Sequence, residues 1–123
     1  MTEAIRFNVH VSIKDGRLEE FEGIAKEWSA YHYKQRPDVL SYEWFFTDAD
    51  QSKALVMELY ESSEAMLATM EEVSEAEEAE KPDYPYEMIK LEVCGNISDA
   101  LRERLDAGGS NIIYYRHFDG FTR

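Results

Sequence analysis

The apolar residues of this chain change their spacing several times, and the order of those changes limits the folds open to it more than any other feature. From Ala4 to Ile13 every second residue is apolar, with Ile5, Phe7, Val9, Val11 and Ile13 on one face and Arg6, Asn8, His10 and Ser12 on the other. That is the two-residue repeat of a strand. Lys14-Asp15-Gly16 is turn chemistry, and beyond it Leu18, Phe21, Ile24, Ala25, Trp28 and Tyr31 recur at helical spacing until Arg36-Pro37 stops the pattern. The aromatic run Ser41-Tyr42-Glu43-Trp44-Phe45-Phe46 then predicts a strand, and Asp48 to Ser52 a turn. A second strand of that hairpin follows over Ala54 to Tyr60, with Leu55, Met57 and Leu59 alternating against Val56, Glu58 and Tyr60.

Ser62 or Ser63 is placed to cap a second helix, whose stripe is Met66, Met70 and Val73. Glu71 to Glu80 carries six glutamates and no basic residue, which reads as a solvated segment or loop, ended by Lys81-Pro82-Asp83-Tyr84-Pro85. It lacks the glycine and ligand spacing of a calcium loop. A fourth strand is predicted over Glu87 to Val93, then a short helix from Asp99 to Leu105 capped by Ser98 and closed by Gly108-Gly109. An edge strand over Asn111 to His117 comes last.

The core order is therefore βαββαβ, which right-handed crossovers fold into an α+β, ferredoxin-like antiparallel sheet with both long helices on one face. The chain reads as one domain, 1–123, with its core over 1–95 and a helix-strand extension over 96–123. The helix-free face is expected to show Phe45, Val56, Tyr60 or their neighbours to water, an apolar patch that a two-fold homodimer would cover.

Charge narrows the partners. With 26 acidic against 13 basic residues the net charge is −13, which repels polyanions. Neither nucleic acid nor an anionic membrane is expected, and no apolar run approaches a bilayer's thickness. The N-terminal residues show no secretory signal pattern, and the lone Cys94 reads as a small core residue in a reducing compartment, so a cytoplasmic protein is expected.

Several stretches resemble the antibiotic biosynthesis monooxygenase-like proteins of the dimeric α+β barrel superfamily. They are Phe7 to Gly16 with Leu18 and Phe21, Tyr42 to Phe46, Glu58 to Met66, and the tail from Val93 through Leu105 to His117-Arg123. The resemblance implies a dimeric barrel and cofactor-free oxidation of a small aromatic hydroxyl or quinol compound, in which the substrate anion reduces oxygen directly. It implies no cofactor and no metal, and His10, His32 and His117 fall in three different elements. Many members carry a histidine on the second helix where this chain has Thr69-Met70. Haem-degrading relatives pair a first-strand asparagine with a tryptophan before that helix, and Tyr60 stands at the tryptophan position. The alternative on the same scaffold is a small-molecule-binding or stress-related dimer without chemistry.

On this basis Asn8 and His10 are the candidate catalytic residues, an amide donor and a general base beside one substrate oxygen. A tyrosine is the other candidate base, and His10 reads equally well as an interface histidine. Trp28, His32, Tyr42, Trp44, Tyr60 and Met70 are the candidate substrate-binding residues around a cavity between sheet and helices. His32, near the end of the first helix, reads also as a surface residue facing the helix dipole. Glu58 is expected on the dimer face with Arg6 as its ion-pair partner, in balance with an acid–base role.

Overall fold

A computed structural model describes residues 3–80, 82–109 and 111–123; Lys81 of the helix-breaking segment and Met1-Thr2 of the N-terminal reading lie outside the described residues. The elements are β1 (Ile5–Ile13), α1 (Leu18–Gln35), β2 (Val39–Phe46), β3 (Lys53–Tyr60), α2 (Ser63–Glu80), β4 (Tyr86–Cys94), α3 (Asp99–Ala107) and β5 (Ile112–Tyr115). The sheet order is β2-β3-β1-β4-β5. The first four strands pair antiparallel and β5 runs parallel to β4 at the edge. This is an α+β, ferredoxin-like arrangement with one helix and one strand added.

Register decides what each face holds. Phe7 lies opposite Glu58 and Val93, and Val9 opposite Val56 and Leu91, so the odd residues of β1 share a face with the even residues of β3. Tyr42 and Trp44 of β2 join that face through Glu58 and Val56. Phe21 of α1 packs with Val9, Val11 and Ile13, while Met66 of α2 packs with Ile5, Tyr60 and Val93, which sets both helices on this side. Phe21 is 1% exposed and Met66 fully buried. Burial of a side chain of this kind contributes about 1.5–3 kcal/mol.

The opposite, open face carries Arg6, Asn8 and His10 of β1, Phe45 of β2, Leu55, Met57 and Leu59 of β3, Glu92 and Cys94 of β4, and Ile113 and Tyr115 of β5. Val56 and Tyr60 are therefore not on the helix-free face; they are buried beneath the helices, and their neighbours Leu55, Met57 and Leu59 take the outer positions. Cys94 is half-buried on the open side, not in the core. The C-terminal tail lies over that end of the sheet, where Arg6 Nη2 donates to Thr122 Oγ1 at 3.3 Å.

Hydroxyl caps fix where the later helices begin. Ser62 Oγ accepts from the Ala65 amide at 3.1 Å, and Ser98 Oγ from the Leu101 amide at 3.1 Å. Ser63 Oγ accepts from the Ser98 amide at 3.0 Å, which ties the start of α3 to that of α2, and Leu101 and Leu105 of α3 then complete the cluster around Tyr60. The glutamate run is not a loop: α2 continues through Glu80, solvated on one side, with Val73, Ser74 and Glu77 turned inward. Glutamate and alanine are strong helix formers, and Met66 to Val73 anchor the preceding turns on the sheet.

Candidate active site

Between the sheet and the helices lies a cavity of about 370 Å³. Its wall includes Trp28, His32, Tyr42, Trp44, Tyr60 and Met70, together with Glu58, Thr69, Tyr86 and Arg104. A second cleft, of about 430 Å³, runs between α1 and α2 and shares Trp28, Val73, Glu77 and Tyr84 with the first. The six aromatic and apolar positions singled out from the sequence are thus brought together. Asn8 and His10 are not among them, because the strand pleat points both to the open face.

Aromatic contacts give this cavity its shape. His32 stacks on Tyr42 with centroids 4.0 Å apart and planes at 15°. Tyr42 meets Trp44 edge-on at 6.2 Å, and Phe21 meets Trp44 edge-on at 5.3 Å. Neighbouring rings held in this way lose little freedom when a planar ligand arrives. His32 is not a surface residue: it is 5% exposed, and its Nδ1 donates to the Trp28 carbonyl at 2.7 Å. Burial holds its imidazole below the usual range. The neutral ring, with its proton on Nδ1, keeps Nε2 as an acceptor.

Glu58 is the residue that reading the sequence misplaced. It does not pair with Arg6 across the open face. Its carboxyl lies under the helices and accepts from the Tyr60 hydroxyl, two residues along the same strand face. Burial pushes its pKa up to about 7, and the Tyr60 hydrogen bond draws it back somewhat. Its side chain is only partly shielded because it borders the cavity. The phenols of Tyr42 and Tyr60 are pushed up by burial and then by the nearby Glu58, so they stay protonated and act as donors, not bases. The Trp44 indole N–H, close to the Tyr42 hydroxyl, lacks a well-formed hydrogen bond. The sequence signal of Glu58 is a lone acid among the apolar residues of β3, a cue for either an ion pair or a tuned carboxyl.

On the open face, His10 Nε2 lies 2.7 Å from Glu92 Oε1, and Lys90 Nζ 3.7 Å from Glu92 Oε2. The His10 contact is the main cause of the lowered Glu92 pKa. Asn8 Oδ1 is buried there without a donor among the described residues. Among the described residues no group of three His, Cys, Asp or Glu side chains is placed to hold a metal ion, and no helix is long and apolar enough to cross a membrane.

Solved structures share this architecture. MupZ from Pseudomonas fluorescens superposes over 100% of this chain and 91% of its own, with a TM-score of 0.82 at 18% identity. A conserved protein of unknown function from Bacteroides thetaiotaomicron, described as a possible oxidoreductase, aligns over 76% of this chain and 97% of its own, with a TM-score of 0.63 at 24% identity. A protein provisionally named an antibiotic biosynthesis monooxygenase, from Chloroflexus aurantiacus, aligns over 77% and 92% respectively, with a TM-score of 0.56 at 14% identity. The chain therefore has an antibiotic biosynthesis monooxygenase-like fold. No protein-family model and no curated protein matches it in sequence.

Proposed function

We infer that this chain is a cofactor-independent monooxygenase acting on a small aromatic hydroxyl or quinol compound in the cavity under the helices, with Glu58 as its general base. The observation that carries this is a carboxyl set by the Tyr60 hydroxyl into the wall of an aromatic cavity, where burial pushes its pKa up to about 7. A base with that pKa is ionised near neutrality and is a far stronger proton acceptor than an exposed carboxylate. Glu58, held by the Tyr60 hydroxyl, takes the phenolic proton, and protonated Tyr42, beside the Trp44 N–H, supplies a donor for the developing oxyanion. The phenolate gives its electrons to dioxygen; one oxygen atom stays on the ring as a new carbonyl, and the other leaves as water with the displaced ring hydrogen and the phenolic proton. Trp28, His32 and Met70 hold the ring and exclude water.

The same reading makes the chain a homodimer through its open face. Phe45, Met57, Ile113 and Tyr115 remain between 37% and 48% exposed there, and the buried Asn8 Oδ1 has no donor among the described residues. Asn8 and His10 then serve the assembly rather than the reaction.

Oxygen consumption with a panel of hydroquinones and hydroxynaphthalenes tests the reading. Uptake that falls about 10²–10⁴-fold in Glu58→Gln, the usual worth of a general base, is the expected result. No uptake with any compound would overturn it.

A further inference from the structure

We propose that Arg104 binds a carboxylate on the ligand, so that the cavity takes an acidic aromatic hydroxyl compound. This rests on the reading of the cavity as a substrate site and names its substrate class. Arg104 is on α3, outside the part of the chain that builds the aromatic wall, yet it borders the same cavity. It is the cavity's one cationic side chain among the described residues, since His32 is held neutral. Its Nη2 donates to Ser74 Oγ at 2.8 Å, which fixes the guanidinium against α2.

No carboxylate among the described residues lies within ion-pair distance of it. In a chain of net charge −13 that is informative, because Arg17 and Arg36 each hold two acidic partners. The other acids bordering the cavity are engaged elsewhere: Glu58 with the Tyr60 hydroxyl, and Glu77 against Tyr84. A half-buried guanidinium with most of its five donors free is a strong receptor for a planar carboxylate. The overall acidic field disfavours anions, so any preference for one has to come from this side chain. Arg104 thus anchors the acid group while the hydroxyl of the same ligand reaches Glu58.

Isothermal titration calorimetry at pH 7 with 2-naphthol and 6-hydroxy-2-naphthoate separates the contributions. The wild-type chain is expected to bind the acid at least about tenfold more tightly, the factor given by about 1.4 kcal/mol. Arg104→Met should bring the two affinities together while leaving that for 2-naphthol unchanged, and Arg104→Lys should keep part of the preference. Equal affinities in the wild-type chain, a preference that survives in Arg104→Met, or no binding of either compound would overturn the proposal. If Arg104→Met does not fold, Arg104→Gln is read by the same criteria. The readout is binding, so a failure of oxygen uptake sinks the oxygenase reading alone, and equal affinities sink this proposal alone.

Discussion

The hydroxyl of Tyr60 donates to the carboxyl of Glu58, two residues away on the same face of β3, and so holds an acid and its regulator in one pair at the cavity wall. This bond favours the ionised carboxyl and opposes the effect of burial. Tyr60→Phe removes it. The acid limb of the pH–rate profile, expected near pH 7 in the wild-type chain, should then move to higher pH, as rates measured between pH 5 and 9 would show.

Stability carries the same signature. Below about 4.5 Glu58 is protonated in both the folded and unfolded chain, and between there and about 7 only the folded chain retains the proton. The Glu58 contribution to folded-state stability is therefore lost as pH rises through that window and levels off above it. Glu58→Gln should remove this contribution, so that its unfolding free energy gains on that of the wild-type chain between pH 4.5 and 8 by at most about 3 kcal/mol. Urea unfolding at pH 4.5 and pH 8 checks both statements.

His32 acts in the opposite direction. Burial lowers its pKa, so its contribution is present above the ordinary value of 6.5 and is lost as pH falls below it. His32→Phe keeps a ring against Tyr42 but cannot take up a proton. Its unfolding midpoint should change less between pH 6.5 and 5 than that of the wild-type chain, read by circular dichroism.

On the open face Met57 lies opposite Asn8 and is 37% exposed. A glutamate there would place a charge in the proposed contact between copies, where an unpaired ion is costly to bury. Light scattering should give a dimer mass for the wild-type chain and a monomer mass for Met57→Glu. A wild-type monomer at every concentration would refute the dimer.

Gly95 follows β4 with φ of 137°, and a Cβ built on it would lie 2.9 Å from the Ala4 carbonyl oxygen and 2.9 Å from Ile5 Cδ1. Neither the backbone oxygen nor the fully buried Ile5 can yield easily. Gly95→Ala should cost about 1–3 kcal/mol in thermal or urea unfolding, whereas Gly23→Ala, in open space within α1, should cost nothing.

Local pattern was enough to locate the strands and helices, because the two-residue repeat of Ile5 to Ile13 and the helical stripe from Leu18 to Tyr31 are properties of short stretches of chain. The same holds for the Ser98 cap, where a side chain bonds an amide three residues on. The aromatic cavity was legible too, as residue types in helices and strands that the βαββαβ order stacks together. The face of β3 was not. Leu55, Met57 and Leu59 look more like core than Val56, Glu58 and Tyr60 do, and only pairing with β1, Phe7 opposite Glu58, decides which set meets the helices. The burial of His32 likewise depends on Tyr42 reaching it from another element, and the reach of Arg104 depends on α3 folding back onto α2. The sequence by itself determined the elements, their order and the aromatic stock of the interior. Tertiary structure alone decided that Glu58 faces inward and Asn8 and His10 outward, because a strand's two faces are assigned by its neighbours' register and not by its own alternation.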